Sequence, residues 1–367
     1  LDHAFVYDDQ GSILENARLD EPGLTRDILS LRTLTDPAVQ DGRRPTVLLT
    51  YLFDRALWGL RPAGFHATSL LIHLLNTILV LVLTRQLAPK EGPSILPTAA
   101  ALLFGLHPVL TEAVQSPAFR EDLLATFFVL SFVILTTRRD AGSWLSIPAL
   151  ILGLLSKESA AAAPLLLFAA WLCVPAIRPP PRRAAGLAAC SLAAVLLFGG
   201  LWVVSGPLQA SGDTVYGTEL RHPQNLLTLP YLWLKSLRVL LVPHPLIVDY
   251  VIRPVHSITD PRCLAGFAAG LLSVAAFFLL LRRRPVVAFG IAWMLAAFLP
   301  ASNLIPLYNP FAERYLYGMA PGFALAFASI ITSVSAPRGR IILLAAAVTA
   351  YACLTTFRLA DWRDNLT

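Results

Sequence analysis

Long uninterrupted apolar blocks dominate this chain of 367 residues and restrict the folds that it can adopt. Hydrophobic residues make up 56% of the sequence and charged residues only 14%, whereas a soluble domain carries about 25% charged residues. Apolar blocks of this length, without the period of an amphipathic helix or strand, are typical of membrane-spanning helices. The sequence therefore predicts an all-α, polytopic membrane protein.

We expect about ten spanning helices, and the basic residues between them set their orientation. The predicted spans are 65–85, 95–113, 120–137, 142–157, 159–177, 184–205, 262–281, 285–305, 315–334 and 340–358. Lysine and arginine cluster in alternate connections, at 85–90, 138–139, 178–183, 282–284 and 338–340. Cytoplasmic loops are enriched in these residues, so this side is predicted to be cytoplasmic. Topology thereby explains the net charge of +6, and nucleic-acid binding is not expected.

This topology divides the chain into an extracytoplasmic loop domain, a transmembrane bundle and an extracytoplasmic tail, at residues 1–64, 65–358 and 359–367. The apolar block 225–242 is not counted as a span, because a crossing there would invert the basic loops that follow. We predict instead an amphipathic helix in the outer interface, with Lys235 and Arg238 facing the lipid headgroups. A re-entrant hairpin, which enters and leaves the membrane on the same side, would leave the orientation of the later loops unchanged.

Ionisable residues recur at the predicted outer ends of the spans. Such a group within a bilayer costs roughly 2.5–3.5 kcal/mol on insertion scales, and it usually lines a polar cavity. We therefore expect one water-accessible cavity on the outer side, formed by Asp8, Asp9, His107, Glu112, Arg120, Glu121, Asp122, Lys157, Glu158, Asp249, Glu313, Arg314 and Tyr315. The alternatives are structural: a helix cap at Asp8 and Asp9, ion pairs of Arg120 with Asp122 and of Glu313 with Arg314, a surface pair of Lys157 with Glu158, and a bent helix end at His107.

Six stretches of the chain, in this order, resemble a known family. They are FVYDDQGSILEN (5–16), RRPTVLLTYLFDRALWGLRPAGFH (43–66), FGLHPVLTEAVQSPAFREDLLA (104–125), LLSKESA (154–160), LLVPHPLIVDY (240–250) and LIPLYNPFAERYLY (304–317). They resemble the membrane domain of the transmembrane and tetratricopeptide-repeat O-mannosyltransferases, within the glycosyltransferase C superfamily. The C-terminal DWRDNLT (361–367) is similar to the junction where that family's repeats begin. The resemblance implies a glycosyltransferase C-type helical bundle.

The resemblance also implies an inverting glycosyltransferase that moves a monosaccharide from a polyprenyl-phosphate donor to an extracytoplasmic hydroxyl of a protein, glycan or lipid. Asp8 or Asp9 would be the general base. The lipid phosphate would be bound by Arg120, Lys157 and Arg314. Glu112 and Asp122 would orient the acceptor or the base, with supporting roles for His107, Glu158, Glu313, Tyr315 and Asp249.

No cofactor is expected, although Asp8, Asp9 and Glu112 could hold a divalent ion through oxygen ligands. An obligatory metal is not favoured. The expected partners are the lipid-linked sugar, the acceptor and membrane lipid, and the expected location is a bacterial inner membrane with the site facing away from the cytoplasm.

Two other functions are compatible with the sequence. One is a catalytically degenerate scaffold subunit of a larger membrane complex, which would keep the fold without the transfer. The other is a transporter, which predicts charged residues near the middle of the membrane and inverted repeats. The charged residues here lie mostly at one end of the predicted spans, and no such repeat is visible in the sequence.

Overall fold

A computed structural model describes residues 3–35, 42–88, 94–138, 140–204, 224–305, 307 and 309–363. Every regular element within these ranges is helical, as the apolar blocks predict. The α-helices are α1 (Leu24–Leu29), α2 (Pro45–Trp58), α3 (Pro62–Leu87), α4 (Leu96–Gly105), α5 (Thr111–Gln115), α6 (Arg120–Thr136), α7 (Ser146–Leu154), α8 (Ala163–Cys173), α9 (Pro181–Val204), α10 (Gln224–Leu241), α11 (Pro261–Leu280), α12 (Pro285–Phe298), α13 (Ala320–Thr332) and α14 (Pro337–Ala360).

A helix lies at each of the ten predicted spans, but only some of these helices have the length of a span. Among the described residues, α3, α9, α11 and α14 are long and apolar enough to cross a membrane. A fifth crossing results if α4 and the following segment Pro108–Gln115 count as one bent span. Other apolar helical stretches, at 141–154, 158–173, 285–301 and 320–332, are 10–17 residues long. The structure thus shows an all-helical protein of membrane type, and the count of ten stays a prediction.

The predicted span 95–113 is broken at Pro108, where its two halves meet at an angle of 48°. Proline has no N–H to donate, and its ring collides with the carbonyl of the preceding turn. Side chains of other helices satisfy the carbonyls that the break releases: His73 Nε2 lies 3.1 Å from the Gly105 oxygen, and the Thr355 hydroxyl donates to the Leu106 oxygen at 2.9 Å. Such substitutes are needed where water cannot reach the backbone.

Helices α12 and α13 approach each other closely at Gly290 and Gly322. A Cβ atom on Gly290 would lie 2.5 Å from the Gly322 carbonyl oxygen, and one on Gly322 would lie 2.6 Å from the Gly290 oxygen. Small residues permit this backbone approach between membrane helices. The crossing fixes α12 directly against α13, and α12 together with the segment just before α13 contributes to the cavity described below.

The helix predicted at 225–242 is present as α10, and it is not among the helices long and apolar enough to span. One part of that prediction is wrong. Lys235 does not face outward: its Nζ lies 4.3 Å from the ring centroid of Tyr250 and 5.1 Å from that of Phe311. An ammonium group over aromatic faces is attracted by the ring quadrupole, so Lys235 packs within the protein. Arg238 is exposed.

The N-terminal segment contains more helix than expected. Its longest element, α2, covers 14 residues and was not foreseen, because its apolar run is short and carries Asp54 and Arg55. Phe5 packs edge-on against Phe65 at the start of α3, with ring centroids 5.3 Å apart. Of the residues used to assign sidedness, Lys90 and Arg139 lie outside the described ranges, as do positions 36–41 and the tail residues 364–367.

Candidate active site

One cavity of about 300 Å³ collects charged residues from distant parts of the chain. It lies between the N-terminal segment, the start of α6, the turn before Glu158, the end of α12 and the segment before α13. Its charged and phenolic lining consists of Asp8, Arg44, Glu121, Asp122, Lys157, Glu158, Arg314 and Tyr315. Such a convergence was predicted from the sequence, and seven of the residues placed in the predicted cavity lie here: Asp8, Glu121, Asp122, Lys157, Glu158, Arg314 and Tyr315.

The rest of the cavity wall is apolar. It is formed by side chains of α6, α8 and α12, among them Val129, Leu166, Trp293 and Ala297. Trp293 is held in place by a hydrogen bond from its Nε1 to the Gly318 carbonyl oxygen at 2.9 Å. The cavity therefore has a charged part beside a hydrocarbon part, which is a suitable environment for a molecule that has both a polar and an apolar portion.

Asp8 presents its carboxylate to this cavity without a protein partner among the described residues. Its backbone is fixed, because its carbonyl accepts the Ser12 N–H at 3.0 Å. The preceding residue, Tyr7, has a left-handed φ of 53° and donates its hydroxyl hydrogen bond to Asp249 at 2.9 Å. Desolvation at the cavity rim raises the pKa of Asp8 above its ordinary value, and the positive charge of Arg314 opposes that rise.

Asp9 is in a different situation, although it is the next residue. Its side chain is fully buried and accepts three hydrogen bonds, from Val6 N–H at 3.1 Å, the Ser116 hydroxyl at 2.8 Å and Ala118 N–H at 2.8 Å. Burial raises the pKa of Asp9 to about 7, and these donors oppose the rise. Asp9 does not line the cavity; it attaches the N-terminal segment to the 116–118 turn and so positions Asp8.

A chain of alternating charges occupies one side of the cavity. Lys157 Nζ lies 2.7 Å from Asp122 Oδ2 and 3.3 Å from Glu121 Oε1. Arg44 Nη1 lies 2.8 Å from the same Glu121 oxygen, and its Nη2 lies 3.8 Å from Glu158 Oε2. Lys157 also lies over the Tyr315 ring, 5.3 Å from its centroid. These contacts hold the Lys157 ammonium group in one position at the cavity surface.

Arg314 is the second cation whose position is fixed at the cavity. Its Nη1 lies 2.5 Å from Glu112 Oε1, and its backbone N–H donates to Glu112 Oε2 at 2.9 Å. Its guanidinium carbon lies 4.1 Å from the ring centroid of Phe119. Glu112 is fully buried behind Arg314 and does not line the cavity. The carboxylate therefore orients the guanidinium instead of contacting an acceptor directly.

Arg120 was assigned to the lipid phosphate, but it does not line the cavity. It is completely buried against Asp54, with Nη2 2.6 Å from Asp54 Oδ2. Its remaining donors are used by Thr50 Oγ1, Ser69 Oγ and the Phe65 carbonyl oxygen. The helix turn that carries Arg120 points it toward α2 and α3, on the side away from Asp122. The ion pair of Arg120 with Asp122 that the sequence left open is not formed; each has another partner.

His107 and Glu313 also lie outside the cavity lining. His107 accepts the Val109 N–H on Nδ1 and therefore donates from Nε2 to the Leu240 carbonyl oxygen at 2.9 Å, so that it caps the turn after the helix break. Glu313 accepts from Ile247 N–H, the Tyr250 hydroxyl and Arg358. Glu313 is thus paired with Arg358 and not with its neighbour Arg314. Asp249 is exposed and contacts the site only through Tyr7.

Two further residues line the cavity: Glu121, which was placed in the predicted cavity but given no role in the reaction, and Arg44, which was not predicted at all. Glu121 stands between Arg120 and Asp122, and its position in the first turn of α6 was the available signal. Arg44 follows Arg43 just before α2, and nothing in its local sequence indicates a partner 77 residues further along, at Glu121.

The ligand set considered for a divalent ion does not come together. Asp9 is occupied by hydrogen bonds and Glu112 by Arg314, so neither shares an ion with Asp8. Among the described residues, no three carboxylate, imidazole or thiol side chains form a group that could hold a metal.

The fold and this cavity define a helical membrane protein with a polar site beside an apolar wall, and comparison with known proteins shows which proteins it is similar to. The chain is 26% identical over 347 residues to the protein O-mannosyl-transferase F38B6.6 of Caenorhabditis elegans, covering 90% of this chain and 49% of that protein. It is 29% identical over 282 residues to Tmtc2 of Drosophila melanogaster, covering 71% of this chain and 30% of that protein. It is 30% identical over 150 residues to human TMTC1, covering 39% of this chain and 17% of that protein.

The chain is therefore a homologue of the transmembrane and tetratricopeptide-repeat O-mannosyltransferases, which confirms the resemblance seen in its motifs. It spans about half the length, or less, of these curated relatives. No family model matches the chain, and no solved structure matches it.

Proposed function

We propose that this chain is the membrane part of a protein O-mannosyltransferase that takes its sugar from a polyprenyl-phosphate carrier. Its relatives are named protein O-mannosyl-transferases. The observation that carries the proposal is that the carboxylate of Asp8, which has no partner within the described part of the chain, lines the same cavity as the fixed cations Lys157 and Arg314. A base beside two cations is what transfer from a phosphate leaving group requires.

In the proposed reaction, Asp8 removes the proton from an acceptor serine or threonine hydroxyl. The hydroxyl oxygen attacks the anomeric carbon of the mannosyl group from the face opposite the phosphate. The bond between that carbon and the phosphate oxygen breaks, its electron pair leaves on the phosphate, and the configuration inverts. The products are the mannosylated protein and the polyprenyl phosphate, with the proton held on Asp8 until it is released to water.

Arg314 and Lys157 would stabilise the charge that develops on the departing phosphate. A phosphate is already a stable leaving group, so the reaction needs positive charge near its oxygens more than it needs an acid. Glu112 holds Arg314 and Asp122 holds Lys157, so we assign both carboxylates to positioning these cations. The cations supply the charge that a divalent ion would otherwise supply, and the proposal includes no obligatory metal.

The apolar wall suits the hydrocarbon part of such a donor. Leu166 from α8 and Trp293 from α12 lie on the same cavity as the charged residues. A phosphate at Arg314 would place the first isoprene units beside these side chains, with the cavity facing the extracytoplasmic side. This arrangement would hold the sugar in water and the lipid in the membrane.

The decisive experiment is Asp8→Asn in the full-length protein, assayed for transfer from polyprenyl-phosphate mannose to a protein acceptor. Loss of a general base lowers the rate by about 10²–10⁴-fold, whereas donor binding, measured by photo-crosslinking, should remain. Asp27→Asn is the matched control, since Asp27 lies in the same N-terminal segment and away from the cavity.

Unchanged transfer by Asp8→Asn would refute the assignment of the base. A wild-type protein that binds the donor but transfers to no acceptor would refute the enzyme and support the scaffold alternative.

A further inference from the structure

A second cavity, of about 560 Å³, lies at the opposite ends of α12 and α13 from the site described above. The first cavity contacts α12 near Ala297 and the chain just before α13, at Gly318. The second is lined by Pro285 at the start of α12 and by Thr332 at the end of α13. The α12 residues of the two cavities that lie nearest each other, Val286 and Trp293, are seven residues apart, which at about 1.5 Å per residue is roughly 10 Å along the helix.

Three guanidinium groups line this second cavity, those of Arg283, Arg284 and Arg340. No side chain of the described residues forms an ion pair or a hydrogen bond with any of the three, and Arg340 Nε is buried without a partner. This differs from the first cavity, where Lys157 and Arg314 are each paired with carboxylates. No acidic residue is among the described residues that line the second cavity.

The backbone adds to the positive character of this cavity. Helices α4, α12 and α14 all begin at it, through Leu96, Pro285 and Pro337. Each helix N-terminus carries a partial positive charge and unpaired N–H groups. The Ser94 hydroxyl, which accepts the Leu96 N–H, keeps its own hydrogen for a ligand, whereas the Thr332 and Ser333 hydroxyls donate to carbonyl oxygens of α13. Three helix ends, three cations and one hydroxyl donor around one space form a receptor for an anion with several oxygen atoms.

The surroundings of the cavity indicate which anion it receives. Ile341, on the same lining, has 58% of its surface exposed, and the next residue along α14, Ile342, has 66% exposed. On a helix long enough to span a membrane, such side chains face hydrocarbon. An anionic group at this cavity would therefore lie beside lipid chains, at the end of the bundle predicted to be cytoplasmic.

We propose that this second cavity binds a phosphoryl anion, presented by an anionic lipid headgroup at the cytoplasmic surface. Basic pockets between membrane helices on that side are suited to such headgroups. The bound phosphate would offset part of the positive charge of Arg283, Arg284 and Arg340 and would join the ends of α12, α13 and α14. This site is separate from the proposed donor site and does not depend on catalysis.

The test compares two double variants that remove equal charge from the same two loops. Arg283→Gln with Arg340→Gln removes cavity cations, whereas Arg282→Gln with Arg338→Gln removes neighbouring arginines that do not line the cavity. Full-length protein in uncharged detergent is titrated with phosphatidylglycerol or with phosphatidylcholine of the same chains, and bound lipid is counted by native mass spectrometry. A parallel arm measures the melting temperature with inorganic phosphate alone against chloride of equal ionic strength.

We expect wild type to prefer phosphatidylglycerol, the cavity variant to lose about tenfold or more in affinity, and the control variant to keep it. Arg283→Lys with Arg340→Lys should retain most of the binding, because it retains the charge. Stabilisation by inorganic phosphate alone, lost in the cavity variant, would support the phosphoryl site and name free phosphate as its source.

Equal losses in the two glutamine variants, or no preference of wild type for either anion, would overturn the proposal. If the cavity variant is not monodisperse, the single changes Arg283→Gln and Arg340→Gln are compared with Arg282→Gln and Arg338→Gln in the same way.

Discussion

Glu112 holds Arg314 by two contacts, one to the guanidinium at 2.5 Å and one to the backbone N–H at 2.9 Å. Glu112 lies in the segment after the Pro108 break, and Arg314 lies in the segment before α13. The pair therefore joins these two segments. One carboxylate thus fixes both the side chain and the backbone of Arg314 at the cavity.

Glu112→Gln should weaken both stability and donor binding. The neutral amide can accept only part of what Arg314 donates, and removing one partner of a buried ion pair costs about 3–5 kcal/mol. We expect a lower melting temperature and a raised KM for the donor, measured beside the exposed control Glu15→Gln. A variant with normal KM and normal stability would show that Arg314 needs no such support.

Asp9→Asn should destabilise the protein before it affects chemistry. The amide nitrogen would face at least one of the donors Val6 N–H, Ser116 hydroxyl or Ala118 N–H, and an unsatisfied buried polar group costs about 1–3 kcal/mol. Thermal unfolding measures the loss, and Ser116→Ala, which removes one donor only, should cost less. Unchanged stability with abolished transfer would instead make Asp9 the base.

Arg120→Gln should cause a folding defect and not a binding defect. It would leave the Asp54 carboxylate, which is fully buried, without its counter-charge, at a cost of about 3–5 kcal/mol. The double variant Arg120→Met with Asp54→Leu should recover much of that stability, because a buried pair can be replaced by apolar residues. If Arg120→Gln unfolds with the stability of wild type but has a raised KM for the donor, Arg120 would bind the phosphate after all.

Asp249→Asn should shift the pH dependence of transfer. The negative charge of Asp249 adds to the desolvation that raises the pKa of Asp8, so neutralising it lowers that pKa. A general base works when deprotonated, and activity is lost as the pH falls through its pKa. The acidic limb of kcat/KM against pH should therefore move to lower pH in Asp249→Asn and stay in place in Asp27→Asn. Movement to higher pH would contradict Asp8 as the base.

The helices at the ten apolar runs were predictable because such runs dictate them locally, whereas α2, whose apolar run is short, was not foreseen. The run at 225–242 was also identified as a non-spanning helix, from its two cations and the parity of the loops. The break at Pro108 was visible as an alternative in the sequence, yet the 48° angle depends on how His73 and Thr355 complete the released carbonyls. Such partners come from helices far away in the chain, and local sequence does not specify them.

Local sequence also did not specify which charged residues pair with each other. A cavity that collects ionisable residues from distant parts of the chain was foreseen, although Asp9, His107, Glu112, Arg120, Asp249 and Glu313 do not line it. The pairing of the ionisable residues was not foreseen: Arg120 contacts Asp54, and Glu313 contacts Arg358, although each has an oppositely charged neighbour in sequence. Adjacent residues on a helical turn point in different directions, so partners are decided by tertiary packing and not by proximity in the chain.

The glycine crossing of α12 and α13 has a consequence for how a lipid could reach its position. At Gly290 and Gly322 no side chain lies between the two backbones, so nothing there can rotate aside to open a gap. A branched hydrocarbon tail would have to approach the Trp293 wall from its other flank, toward α6 and α8. If the proposed lipid donor binds here, the absence of a Cβ atom at these two glycines would determine the side from which its tail enters.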